Sequence, residues 1–310
     1  MNKVPVVFAF DNNLIFPACV CISSLMMNAK SDTFYDIFIL HSHKIELDKA
    51  ELDKIPRFFP NCQIQYRQID DTFDSAFEIR GITIVTYYRL LIPKLIPEYD
   101  AVIYSDVDVI FREDLSALYN STKMEDFYVA GVNNLAHIFT GLGDYYEKVL
   151  GLDRHGIICG GFLIINSLKL LKDNKIPEFL DLAKKKFTFQ DQDILNISCK
   201  GKIKYLAPCH SVLTYINEAI VYHRKDLLCM WTEEELNTAL TKGNIHYNGQ
   251  KPWRGFCVNF DVWWEYYRKS PFYDERFYFD FFYNKLNMLD QLSLWKRVKI
   301  LVRYFVYGRK

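Results

Sequence analysis

The stretch "VIYSDVDVIF", residues 102–111, closes an apolar run on two carboxylates, Asp106 and Asp108, with one residue between them. Alternate residues of a strand face the same way, so the pair would stand about 7 Å apart at Cα on one side. Two anions that close repel, and each tends to keep its proton unless something positive sits between them. Aspartate also ends strands as a turn former or helix cap, but Asp114, in "REDL", is better placed for that role. These residues alone leave metal binding and capping both open.

Strand-like runs recur on either side of this stretch. The clearest are "VPVVFAF" (4–10), "YDIFIL" (35–40), "QIQYRQI" (63–69), "AVIYS" (101–105), "FYVAGV" (127–132) and "GFLIIN" (161–166). Several are continuous apolar runs, as expected of strands covered on both faces. "FPACVCISSLMMNA" (16–29) has helical apolar spacing, so strand, helix, strand opens the chain. The pattern predicts an α/β fold: one domain with a mixed, mostly parallel central sheet flanked by helices. That domain is expected over residues 1–265, with an aromatic and increasingly basic helical extension over 266–310.

The composition narrows the function classes. Lys plus Arg equals Asp plus Glu, 38 each, so net charge gives no reason to expect nucleic acid as a partner. Eight cysteines are scattered without a Cys-x-x-Cys pair, which fits neither a zinc site nor a small disulfide scaffold. Buried free thiols suggest a reducing compartment. "MNKVPVVFAF" does not read as a signal peptide, and no apolar run is long enough to span a bilayer. The expectation is a cytoplasmic protein, or one held on the inner face of the cell membrane.

In open α/β sheets the ligand sits beyond the C-terminal strand edges. Three motifs should fall there: "AFDNN" (9–13), "SDVD" (105–108) and "QDQD" (190–193), the last opening a helix. Neither Gly-x-Gly-x-x-Gly nor a P-loop is present, so any phosphates must be neutralised by a metal and side chains. The late stretch "NIHYNGQKPWRGF" (244–256) supplies what the carboxylates lack. His246 can offer an imidazole nitrogen to a metal, Gly249 permits close backbone approach to an anion, and Lys251 brings a positive charge. Two carboxylates and one imidazole suit Mn²⁺ or Mg²⁺ with positions open for phosphate oxygens.

Taken together, the motifs resemble those of glycosyltransferase family 8, which includes bacterial lipopolysaccharide galactosyl- and glucosyltransferases and glycogenin. "FAFDNN", "ITIVTYYRLLIP", "YSDVDVIFREDL", "GGFLIINSLKL", "FQDQDILN" and "HYNGQKPW" occur in family order between about residues 4 and 256. The Asp-x-Asp alone would be weak; six ordered motifs are specific.

The resemblance implies a GT-A fold and retaining transfer of a hexose from UDP-galactose or UDP-glucose, with Mn²⁺ as cofactor and Mg²⁺ as the alternative. By position it makes Asp106, Asp108 and His246 the metal ligands, and lines the uridine pocket with Ala9, Asp11 and Asn13. Gly249 and Lys251 would hold the diphosphate. Arg89 would contact the donor sugar and brace the carboxylates, and Asp191 and Gln192 would lie against the sugar. The implied acceptor is a saccharide or a lipid-linked saccharide, as in surface-glycan or lipopolysaccharide synthesis.

The chain departs from the family pattern in four places. "HYNGQK" is one residue shorter between His and Lys than usual, and Leu14 stands where an aromatic often follows the uridine Asn. Cys159 replaces a common Asn, and Asn133 replaces an acidic residue that often contacts sugar. The non-enzyme alternative is a nucleotide-sugar-binding protein of the same fold, but that predicts a lost metal ligand and none is lost. A phosphatase with an Asp nucleophile would carry its Asp-x-Asp after the first strand, where "FDNN" stands. An EF-hand is excluded because "DVDVIFRED" lacks its Gly and oxygen spacing.

The tail, "LWKRVKILVRYFVYGRK" (294–310), reads as an amphipathic helix. Leu294, Val298, Leu301, Val302 and Phe305 share one face, with Lys296, Lys299 and Arg303 opposite and Arg309 and Lys310 following. Either it packs on the domain, or it lies on an anionic membrane surface beside a lipid-linked acceptor.

Overall fold

The computed structural model describes residues 2–78, 84–287 and 292–307. Within these, ten strands follow one another as β1 (Asn2–Ala9), β2 (Thr33–Ser42), β3 (Cys62–Ile69), β4 (Ala101–Ser105), β5 (Val109–Ile110), β6 (Val129–Asn133), β7 (Ile158–Asn166), β8 (Ile203–Tyr205), β9 (Val212–Leu213) and β10 (Ile245–His246). Five helices position the features discussed below: α1 (Ile15–Met27), α2 (Gln190–Ser198), α3 (Phe260–Lys269), α4 (Glu275–Leu286) and α5 (Leu294–Tyr307).

Seven strands form one sheet in the order β3-β2-β1-β4-β7-β6-β8. All neighbours run parallel except that β7 is antiparallel to both β4 and β6. The sheet is therefore mixed and mostly parallel. Pro5 interrupts an otherwise apolar strand, and the pairing explains why it is tolerated. At Pro5 the strand pairs with β2, through Asp36, while the ladder to β4 starts at Val6, so the missing N–H costs no bond to β4.

Side chains alternate between two cores. Val6, Phe8, Ile37 and Ile103 pack in one cluster with α1; Val7, Phe38, Val102 and Tyr104 pack in another on the opposite face. Burial on both faces is why these strands read as unbroken apolar runs. α1 is mostly buried for the same reason, and it stops at Asn28, whose side-chain amide donates to Ser24 O at 2.8 Å and Phe111 O at 3.0 Å. Asp114 is the turn former expected: its carboxylate accepts from Ser116 N and Lys30 N, both at 3.0 Å.

A second sheet of three short strands, in the order β5-β10-β9, decides the site. β10 is antiparallel to β5, with His246 opposite Val109, and parallel to β9, with His246 opposite Leu213. Tyr247 N extends the ladder to Asp108 O at 2.9 Å. An aromatic cluster of Trp263, Trp264, Tyr267 and Tyr247 packs α3 against Val20 of α1 and Ile110 of β5. α3 thus crosses residue 265 as a continuous, packed helix. All eight cysteines are free. No helix among the described residues is long and apolar enough to cross a membrane.

Candidate active site

The strand ends converge where the sequence motifs meet. β4 ends at Ser105, so Asp106 leaves the C-terminal edge of the sheet. β7 runs the other way, which brings its first residues to the same edge: Asp106 N donates to Gly161 O at 2.8 Å. β1 is in parallel register with β4, Val6 beside Ile103, so the end of β1 at Ala9 comes level with Asp106. The small sheet then folds His246 over the carboxylates.

A cleft of about 300 Å³ opens at this edge. Of the residues singled out from sequence, Arg89, Asp106, Asp108, Asp191, Gln192 and His246 line it. Lys251 reaches the group from the side as an ion-pair partner of Asp108. Ala9, Asp11, Asn13 and Gly249 do not line this cleft. Asp11 instead caps the turn into α1, accepting from Asn13 N at 2.9 Å and Asn13 Nδ2 at 3.4 Å. Ile82 and Thr83 of the "ITIVTYYRLLIP" motif lie outside the described residues.

Asp106, Asp108 and His246 each offer one ligand atom, and these atoms all lie within 4.8 Å of one another. His246 Nε2 is 3.2 Å from Asp108 Oδ1 and 3.8 Å from Asp106 Oδ2. Asp106 is held by its other oxygen: Tyr104 Oη donates to Oδ1 at 2.7 Å and Arg89 Nη2 at 3.0 Å. That leaves Oδ2 turned toward the imidazole.

Two further observations fit a divalent cation here. Asp108 Oδ1 is buried and accepts no hydrogen bond, an arrangement that costs free energy unless a ligand completes it. Gly161 leaves room that any side chain would fill, since a Cβ there would collide with the His246 ring and the Asp106 carboxylate. Two carboxylates and an imidazole are donors suited to Mn²⁺ or Mg²⁺.

Arg89 organises the opposite wall. It is 6% exposed, pairs with Asp106 at 3.0 Å and Asp191 at 2.9 Å, and donates to Gly160 O. Thr86 Oγ1 completes Asp191 with a bond of 2.5 Å. At the start of α2 it is Asp193, not Asp191, whose carboxylate accepts from Phe189 N, at 2.9 Å. Gln192 is fixed through Oε1, which accepts from Gly160 N at 3.2 Å. Asn133 faces away from the cleft chemistry, its amide tied to His155 O and Leu135 N.

Burial disfavours charge throughout the site, and the ion pairs oppose it to different extents. Burial lifts the Asp191 carboxyl to about 6, although Arg89 pulls the other way. For Asp108 burial also pushes upward, but Lys251 and His246 outweigh it and hold the carboxyl below its ordinary value. Burial works against a charged His246, yet Asp108 prevails and raises the imidazole to about 10.

Sequence reasoning gave no role to Thr86, Tyr104, Gly160 or Gly161. The adjacent glycines at the start of a strand were the one available signal. Tyr104 sits inside an apolar run and reads as core.

Comparison with known proteins shows the family. Residues 5–257 match the model of glycosyl transferase family 8. A putative glycosyltransferase of Haemophilus influenzae is 28% identical over 176 residues, 56% of this chain and 50% of that protein. General stress protein A of Bacillus subtilis is 24% identical over 270 residues, covering 83% of this chain and 85% of its own. Among solved structures, the galactosyltransferase LgtC with donor and acceptor sugar analogs superposes with a TM-score of 0.73 at 24% identity, covering 88% of this chain and 98% of its own. The bifunctional glycosyltransferase WbbM gives 0.70 at 22%, covering 89% of this chain and 51% of its own. The chain thus spans about half the length of the Haemophilus protein and of WbbM.

Proposed function

Because this chain belongs to glycosyl transferase family 8 and has the GT-A fold, we propose that it is a retaining, metal-dependent hexosyltransferase. The donor in this reading is UDP-galactose or UDP-glucose, and the acceptor a saccharide or lipid-linked saccharide of a surface glycan such as lipopolysaccharide. The single observation that carries it is the triad Asp106, Asp108 and His246 within 4.8 Å at the sheet edge.

Those three residues would hold Mn²⁺, or Mg²⁺ in its place, supplying positive charge that stabilises the departing diphosphate. Lys251, drawn off Asp108, adds a second cation to the same leaving group, and Gly249 lets the backbone approach it. Ala9, Asp11 and Asn13, at the end of β1, take the uridine. Arg89 keeps Asp106 and Asp191 apart in charge and in place, while Asp191 and Gln192 face the sugar. Gln192 is an amide, a poor nucleophile, and Asp191 is tied to Arg89. Retention therefore follows a front-face route. The bond from the anomeric carbon to the phosphate oxygen breaks, the acceptor oxygen bonds on the same face, and its proton passes to the leaving phosphate. Gln192 Oε1 stabilises the positive charge that develops on the sugar.

In this reading residues 1–265 carry transfer and 266–310 form an extension joined through the packed helix α3. The protein works on the cytoplasmic side, with α5 against anionic lipid. The experiment is metal-dependent UDP release from each UDP-sugar, with and without added acceptor. Release with one UDP-hexose and Mn²⁺ is expected; none with any UDP-sugar would overturn the reading in favour of a binding protein.

A further inference from the structure

His246 has two ring nitrogens, and the side away from the carboxylates is as specific as the side that faces them. A cation bound at Nε2 takes up that nitrogen's lone pair and displaces any proton there, which leaves the one ring proton on Nδ1. The residue is 3% exposed, so a proton on Nδ1 needs an acceptor within the protein. Ser211 Oγ lies 3.5 Å from Nδ1, and Cys159 Sγ lies 3.9 Å from it. Ser211 is 1% exposed and directly precedes β9, the parallel neighbour of β10. Cys159 belongs to β7 of the large sheet, and its sulfur already accepts from Gly161 N at 3.5 Å. The ring is thus flanked by a residue of the large sheet and by the residue that leads into the small one.

We infer that Ser211 and Cys159 are positioning residues that hold His246 with the proton on Nδ1 and Nε2 turned to Asp106 and Asp108. Ser211 carries most of this, because a hydroxyl oxygen is the stronger acceptor and a thiol sulfur a weak one. The inference rests on the metal reading of the triad, and it concerns this chain in particular: at His246 Nδ1 the thiol of Cys159 is paired with the hydroxyl oxygen of Ser211. Outer partners of this kind typically change metal affinity by about 10- to 100-fold when removed.

The test is titration of the full chain with Mn²⁺, following the free ion by electron paramagnetic resonance. Ser211→Ala with Cys159→Ala should weaken binding by about 10- to 100-fold, each single change by less, and Ser211→Thr should restore it. Nitrogen-resolved NMR of the Mg²⁺-loaded protein should place the imidazole proton on Nδ1. If the wild type binds Mn²⁺ and the double variant binds it equally well, this inference fails alone; if the proton of the metal-loaded protein sits on Nε2, His246 is not a ligand and the metal reading of the triad falls with it. If the wild type takes up neither ion, the metal reading fails and this inference with it. Ser211→Thr and the single variants decide the matter should the double variant not fold.

Discussion

Lys251 and Asp108 form an ion pair in which the carboxylate is divided between two nitrogens: Oδ2 accepts from the lysine, and Oδ1 faces His246 Nε2 at 3.2 Å. The lysine also donates to Tyr247 O at 2.6 Å, so it is folded back over its own loop. A cation entering between the carboxylates competes with this lysine for Asp108. The release of Lys251 then becomes part of donor binding, and its removal should separate two effects. Lys251→Ala should lower turnover about a hundredfold, the scale for losing one preorganised transition-state donor. Manganese affinity should hold or tighten, because a competing cation is gone. Steady-state rates at saturating donor, with a parallel Mn²⁺ titration, check both; an unchanged rate would show that the shortened "HYNGQK" loop has taken the lysine out of use.

Asp108→Asn keeps the shape of the side chain and removes its charge. Mn²⁺ uptake should be lost and UDP release should drop to background, while circular dichroism stays that of the wild type. The loss of charge also leaves Lys251 and His246 without their shared anion, so His246 should fall toward the ordinary imidazole range, readable by NMR titration. Wild-type metal affinity in this variant would falsify the ligand assignment.

The sheet was legible because its strands are covered on both faces: the run 101–105 is β4 to the residue, and the other five long runs lie within their strands or a few residues of them. The small sheet was not. β5, β9 and β10 have two residues each, too few for any periodicity, and only tertiary packing makes them strands. The direction of β7 was equally hidden, since an apolar run reads the same either way. For the site, acidic and basic residues announced themselves through charge. Thr86 did not, because its hydroxyl acts on Asp191, far away in the chain, and Tyr104 did not, because it sits inside an apolar run although its hydroxyl serves Asp106 only two residues on. Cys159 was noted as a departure, but Ser211, which complements it, carries no mark in the sequence.

Arg89→Lys should be costly although charge is kept. Arg89 bonds Asp106 and Asp191 with separate nitrogens and reaches Gly160 O with a third. One ammonium cannot make this set of contacts. Each buried acceptor that the shorter ammonium cannot reach is left without its donor, at about 1–3 kcal/mol apiece. Urea unfolding should show a midpoint well below wild type with an unchanged slope. A variant as stable as the wild type would mean that Arg89 is not bracing these carboxylates.

Away from the site, His210 Nδ1 pairs with Glu113 at 2.7 Å. Burial disfavours the imidazolium, but hydrogen bonds to Cys209 and Glu113 and the Glu113 charge prevail, lifting His210 from 6.5 to about 10. A base with a raised folded value stabilises most below its unfolded pKa and loses that contribution as pH climbs through the folded one. Stability from this pair should therefore be complete below about pH 6.5 and vanish between there and about pH 10. His210→Gln should remove that slope: the wild-type advantage seen at low pH should disappear at high pH. A difference that is constant with pH would show that the pair is not charged in the folded protein.

α5 (Leu294–Tyr307) leaves its apolar residues open to solvent: Trp295 is 82% exposed and Phe305 80%, with Leu294, Leu301 and Val302 also exposed. A helix docked on the domain would bury one face, so the structure gives that alternative no packed surface. α4, which precedes it, adds Phe279, Tyr283 and Leu286, all exposed. Lys296, Lys299 and Arg303 fall on the opposite side of the helix at 100° per residue; Arg309 and Lys310 lie outside the described residues. Exposed apolar area of this size needs a cover, and aromatic and aliphatic groups among cations match the headgroup zone of an anionic bilayer. Co-sedimentation with anionic liposomes should pellet the full chain and leave in solution a chain cut after Asp290. Raising salt should release it, since surface charges are screened beyond about 10 Å at 0.1 M. Equal behaviour of the two forms, both pelleting or both staying in the supernatant at low salt, would show that the tail is not the membrane contact.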